Sequence, residues 1–214
     1  MKKLQILLLC LSTTVLCGCY SMSEMQTGRV LKKNEFRGVG GIGFTMAEME
    51  TAEAITSVNP LLLNAVIRGG LGHKLEVSLN MAVVGSYSAG IKRQFIGTDS
   101  SKVAGSIALA GGYSSMLNWD YGIGYYDISI PLYFSFHPSE AFAFYINPRY
   151  QYKILSEETY ENGANSANWV GGATGIMIGK KTRFILEGSL YVNDHNNLPY
   201  YQLTTGIGFK IGSK

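Results

Sequence analysis

From residue 34 to residue 211 one pattern repeats along the chain: apolar and polar side chains alternate one for one. In "YYDISIPLYFSF" (125–136), Tyr126, Ile128, Ile130, Leu132, Phe134 and Phe136 oppose Tyr125, Asp127, Ser129, Pro131, Tyr133 and Ser135. "HKLEVSLNMAVVG", "AFAFYINPRYQYK", "RFILEGSLYV" and "YQLTTGIGFKI" alternate in the same way. Successive side chains of an extended chain point to opposite faces, so alternation over ten or more residues specifies strands and rejects helix. These stretches are also longer than the five or six residues typical of soluble sheets.

Ten strands are expected, roughly 35–46, 61–71, 74–85, 88–96, 102–113, 125–136, 141–153, 168–178, 183–192 and 201–211. The connections after the second, fourth, sixth and eighth are short. Those after the first, fifth, seventh and ninth are longer, and the "SY" after the third breaks the rule. An even strand number, short turns at one end and longer loops at the other describe a membrane-spanning barrel, and a span near ten residues crosses the hydrocarbon layer at a tilt. Segment 47–58, "AEMETAEAITSV", could form a short helix in the first loop.

Period two does not by itself say which face is inside. A soluble barrel of the lipocalin type alternates too, with apolar residues inward. Its polar face would meet water and carry many charges, whereas charged residues are 15% of this chain against about 25% in soluble domains. The polar faces are instead rich in Gly, Ser, Thr, Asn and Tyr, and ten bulky apolar stripes would overfill a small barrel interior. The expected fold is therefore all-β: an antiparallel up-and-down transmembrane barrel of about ten strands, apolar side outward. Tyr113, Tyr125, Tyr126, Tyr150, Tyr152, Trp169, Tyr200 and Tyr201 fall near strand ends, as interfacial girdles require. Arg93 shares the outer face with Ile91 and Phe95 and must lie near an interface, where its head reaches water. The second reading is a lipid-anchored soluble barrel that binds a small apolar ligand.

The N-terminus has Lys2 and Lys3, an apolar run "LQILLLCLSTTVL", and then small residues and a cysteine. This is the layout of an export signal. "Leu16-Cys17-Gly18-Cys19" resembles the bacterial lipobox, with Cys19 as the lipidated first residue of the mature chain. The organisation expected is a lipoprotein signal peptide over 1–18, an N-terminal tether over 19–33 and a barrel domain over 34–214. Ordinary signal cleavage and a metal knuckle are the alternatives; the second needs about four ligands, and only Cys10 and three scattered histidines could join Cys17 and Cys19. Loss of Lys2 and Lys3 would reduce 18 basic residues to 16 against 15 acidic ones, a net charge of about +1. That balance carries no nucleic-acid footprint.

"SKVAGSIALAGGY", "DISIPLYFSFHPSEAFAFYINPRYQY", "FILEGSLY" and the closing "TTGIGFKIG" resemble bacterial outer-membrane β-barrel proteins of the small porin-like kind, over roughly residues 34–211. The resemblance implies outer-membrane lipid as surroundings. It also implies the barrel assembly machinery as a partner in biogenesis, as the lipobox resemblance implies lipoprotein-processing enzymes. Members usually close on an aromatic residue; here Phe209 is followed by "KIGSK".

Chemistry is sparse. His73 and His137 fall in short turns at one end and His195 in a loop at the other, so the three do not converge. Asp194-His195 invites comparison with outer-membrane proteases, but "VNDHNNLP" reads as a polar hairpin loop. The glycine pairs at 40–41 and 171–172 precede no helix and are not phosphate loops. No catalytic residue, metal or cofactor is expected; a membrane-embedded hydrolase or acyltransferase is the further alternative. On the polar faces Arg68, Lys92, Arg149, Lys153, Arg183 and Lys210 stand against Glu76, Asp127 and Glu187. These are the expected lumen-lining charges, and their excess of cations would favour anions if the lumen conducts. Ten strands lie near the eight that side chains just fill, so a plugged or nearly plugged interior is expected. The functional expectation is a non-enzymatic outer-membrane barrel lipoprotein: a structural or surface protein, or a narrow pore.

Overall fold

A computed structural model describes residues 23–49, 55–82, 85–117, 122–155, 166–194 and 199–211. The strands are β1 (Phe36–Met49), β2 (Ile55–Gly72), β3 (Leu75–Ala82), β4 (Ser86–Ile96), β5 (Val103–Leu117), β6 (Gly122–Ser139), β7 (Phe142–Leu155), β8 (Ser166–Ile178), β9 (Thr182–Asn193) and β10 (Pro199–Ile211). Each pairs antiparallel with its neighbours in sequence, and β1 pairs with β10 to close the barrel. Closure leaves no strand edge, which a bilayer demands because lipid supplies no hydrogen-bond partner for an open backbone.

The alternation read from the sequence maps onto the two faces. Ile128, Ile130, Phe134 and Phe136 of β6 and Phe144 and Ile146 of β7 point outward and are exposed. Asp127, Ser129, Tyr133 and Ser135, and Tyr145, Asn147, Arg149 and Gln151, point inward and are buried. A barrel with this orientation would dissolve poorly in water and well in lipid. The same orientation contradicts the soluble barrel with an apolar interior, because the interior here is polar. Arg93 lies on the outer face opposite Leu75, the first residue of β3, which places it at the turn-end rim.

The girdle needs correction. Tyr113, Tyr126, Tyr150, Tyr152 and Tyr201 share the outward parity, and Tyr87, Tyr113 and Tyr126 form a cross-strand row with ring centroids 5.6 and 5.1 Å apart. Tyr125, Trp169 and Tyr200 share the inward parity instead. The Trp169 ring lies 6.1 Å from that of Tyr200, and Lys153 Nζ lies 4.7 Å from its centroid.

Three further expectations change. Within 47–58 the described residues are strand, not helix: Ala47, Glu48 and Met49 pair with Ser57, Thr56 and Ile55. Pairing with a neighbour outweighs the modest helix preference of Ala and Glu. Because β1 and β2 extend so far, their connection shrinks to 50–54, and the contrast between loop end and turn end is weaker than expected. His137 belongs to β6, is buried, and has Nε2 at 2.9 Å from Ser135 Oγ.

Candidate functional site

The lumen is occupied by the chain's own residues 23–33, the segment expected to be a tether. At the turn end, Glu35 N donates to Lys32 O and Asn34 N to Gly70 O, both at 2.9 Å, so the chain reverses there into β1. Asn34 takes φ +62°, a left-handed conformation that Asn tolerates better than most residues. Leu31 N donates to Glu76 Oε2 at 2.8 Å, close to the β2–β3 turn. Higher in the barrel, Asn147 Nδ2 donates to Gln26 O at 3.1 Å, and Glu24 pairs with Arg149, two residues further along β7. The segment therefore runs along the barrel axis, from mid-lumen at Ser23 to the turn rim at Lys32.

It has no ladder partner of its own, so wall side chains satisfy its backbone. Glu187 is the main clamp: Oε1 accepts from Ser23 Oγ (2.7 Å) and Glu24 N (3.0 Å), and Oε2 accepts from Met25 N (2.9 Å) and Tyr145 Oη (2.8 Å). Ser135 Oγ accepts from Gly28 N at 3.0 Å, Ser106 Oγ donates to Gly28 O at 2.6 Å, and Gln94 Oε1 accepts from Val30 N at 3.1 Å. Buried backbone groups without such partners would cost about 1–3 kcal/mol each.

Packing shows the same fit. Met25 is fully buried against β1 and β10, where a Cβ on Gly206 would lie 2.6 Å from its sulfur and one on Gly41 2.8 Å away. Gly28 passes so close to the Ala104 and Tyr133 carbonyl oxygens that a side chain there would strike backbone.

The charged residues expected in the lumen divide into two groups. Glu76 bridges Lys92 (2.7 Å) and Arg68 (3.5 Å); Lys92 Nζ also donates to Gln26 Oε1 (3.1 Å) and Thr27 O (3.3 Å). Asp127 accepts from Gln151 Nε2 at 3.0 Å, and the Arg149 guanidinium stacks 5.6 Å from the Tyr191 ring centroid. With Glu187, these hold or surround the segment. Arg183 and Lys210 lie apart, on the inner face at the turn-end mouth. The space left between Ser23, Glu24 and the walls around Asn80 and Ser88 is about 30 Å³, room for one or two waters.

Sequence reasoning missed Ser23, Glu24, Gln26 and Gly28 as site residues, and with them the wall groups Gln94, Ser135 and Tyr145. A short polar stretch without periodicity gives no pattern to read. Their partners lie 66 to 164 residues away in the chain. Of the pair Asp194-His195, only Asp194 lies within the described residues. Its carboxylate accepts from Asn168 N at 2.9 Å and from Asn168 Nδ2, and Tyr150 Oη donates to Asn168 Oδ1 at 2.6 Å, which gives Asp194 a structural place at the loop end. Cys19 lies outside the described residues.

A closed lumen lined by charge and an apolar belt outside it leave one kind of environment for this fold. The chain is an outer-membrane-type β-barrel. No family model matches the sequence of this barrel, and no curated protein does. Among solved structures, the outer membrane protease OmpT from Escherichia coli aligns at 10% identity over 86% of this chain and 100% of that one, with a TM-score of 0.49. An outer membrane channel from Pseudomonas putida F1 aligns at 7% identity over 86% and 98%, with a TM-score of 0.47. Ail, the attachment invasion locus protein of Yersinia pestis, aligns at 12% identity over 84% and 99%, with a TM-score of 0.38.

Proposed function

We propose that this barrel is a non-enzymatic outer-membrane lipoprotein whose lumen is held shut by its own N-terminal segment, a structural or surface protein rather than an open pore. The observation that carries the reading is the clamp on Glu187, where one wall carboxylate takes two backbone N–H groups and a hydroxyl of the segment. Planar-bilayer recording of the purified protein tests it. The intact chain is expected to give no steady conductance and a variant lacking 23–32 to give small, regular steps. Steady conductance by the intact chain would sink the reading.

The lipid belongs to the same proposal. Ser23 is four residue steps from Cys19, a reach of at most about 14 Å. The segment runs toward the turn end, so a lipid on Cys19 would join the bilayer from the loop side. Its role would then be to hold the plug in place, in a barrel that is already membrane-bound. Mass analysis of the N-terminal peptide tests the modification: an acylated Cys19 supports it, and an unmodified thiol at residue 19 overturns it. Outer-membrane lipid, the barrel assembly machinery and the lipoprotein-processing enzymes are the partners this reading implies.

A further inference from the structure

Four basic residues stand side by side on the inner wall at the turn end. Arg37 of β1 is directly opposite Lys210 of β10 on one side and Arg68 of β2 on the other, and Arg183 of β9 lies opposite Gly208, two residues from Lys210. Like charges placed across a strand pair repel, and such a row persists only where something compensates it. The wall compensates it in part. Glu35 takes Arg37 at 3.0 Å, and Glu76 reaches Arg68 at 3.5 Å but is held more closely by Lys92 at 2.7 Å. Among the described residues Arg183 and Lys210 have no ion-pair partner. The Nε atoms of both Arg68 and Arg183 are buried and donate to nothing.

All four side chains line one water-accessible cavity of about 330 Å³. Arg29 of the internal segment completes its cationic wall. Burial lowers the Arg29 pKa while Asp99 and Glu140 oppose the shift, but arginine stays charged. Ser100, Glu140 and Lys180, from three turns, also line it, which places the cavity at the turn end of the barrel.

We infer that this mouth is a binding site for a small soluble oxyanion, a phosphate-bearing molecule that the Arg68 and Arg183 guanidinium groups and the Lys210 ammonium would face across the cavity they line. Guanidinium groups match the oxygen spacing of phosphate, and a volume near 300 Å³ suits a small phosphorylated compound. Because Arg29, Val30 and Leu31 line the cavity, the site rests on the internal segment staying in place.

Titration calorimetry of the full chain in detergent, with inorganic pyrophosphate as probe at low salt, tests the inference. Saturable binding is expected, weakened at least ten-fold by Lys210→Gln and by Arg183→Gln, and unchanged by Lys153→Gln at the opposite end. Heat-modifiable gel migration confirms that each variant folds; Lys210 is exposed, so its replacement keeps the test alive should Arg183→Gln misfold. The source of the phosphate is separated by a second arm. A short-chain phosphatidic acid that binds tightly where pyrophosphate does not would overturn the soluble ligand in favour of a lipid headgroup. Heat no larger than that of sodium chloride at equal ionic strength, or equal weakening by Lys153→Gln, would overturn the site.

Discussion

Met25 N donates to Glu187 Oε2 at 2.9 Å, joining residue 25 to a strand that begins 157 residues later at Thr182. Glu187→Ala removes this acceptor together with those for Glu24 N, Ser23 Oγ and Tyr145 Oη. The donors left behind are buried, so a loss of about 3 kcal/mol is expected. Urea unfolding in detergent, followed by gel migration, reads this as a lower midpoint; an unchanged midpoint would show that the segment is not clamped there.

Gly206 and Met25 form a notch and its occupant. Gly206→Ala puts a methyl where the Met25 sulfur sits, and overpacking of this kind costs about 1–3 kcal/mol. Met25→Ala makes room. The double variant is expected to be more stable than the sum of the single losses allows, and a double-mutant cycle measures the coupling. Additive losses would mean that the two residues do not meet.

Arg149 and Glu24 are both buried and paired. Arg149→Leu strands the Glu24 carboxylate in the lumen, a change expected to cost about 3–5 kcal/mol, whereas Arg149→Leu with Glu24→Leu restores most of it. Recovery in the double variant is the discriminating result. A double variant no better than Arg149→Leu would place the loss elsewhere than in an unpaired charge.

Orientation is testable on intact cells. A cysteine at Glu158 (in the connection between β7 and β8) is expected to react with a membrane-impermeant maleimide, and one at Lys180 only after the outer membrane is opened. Labelling of Lys180→Cys in intact cells would reverse the topology.

The positions of all ten strands were legible because a strand's signature is local: each side chain faces opposite to the next, so burial prints a period of two on the sequence. The polarity of the faces was legible for a similar reason. Bulky groups such as Phe134 and Phe144 on one side and Ser135 and Tyr145 on the other fit lipid outside better than water. Residues 47–58 misled because Ala and Glu favour helix locally, and only the partner strand reveals the pairing. Trp169 and Tyr200 misled because position near a strand end does not set which face an aromatic takes.

The sequence alone thus determined a closed, lipid-facing sheet with charges on its inner face. It left open what those charges meet. Glu187, Glu76 and Arg149 find their partners in residues 23–31, which form no sheet and carry no repeat, and whose backbone is satisfied by side chains from distant strands. Such pairing has no local period, so only closure of the barrel, by bringing β3, β7 and β9 around one axis, decided that the N-terminal segment lies inside.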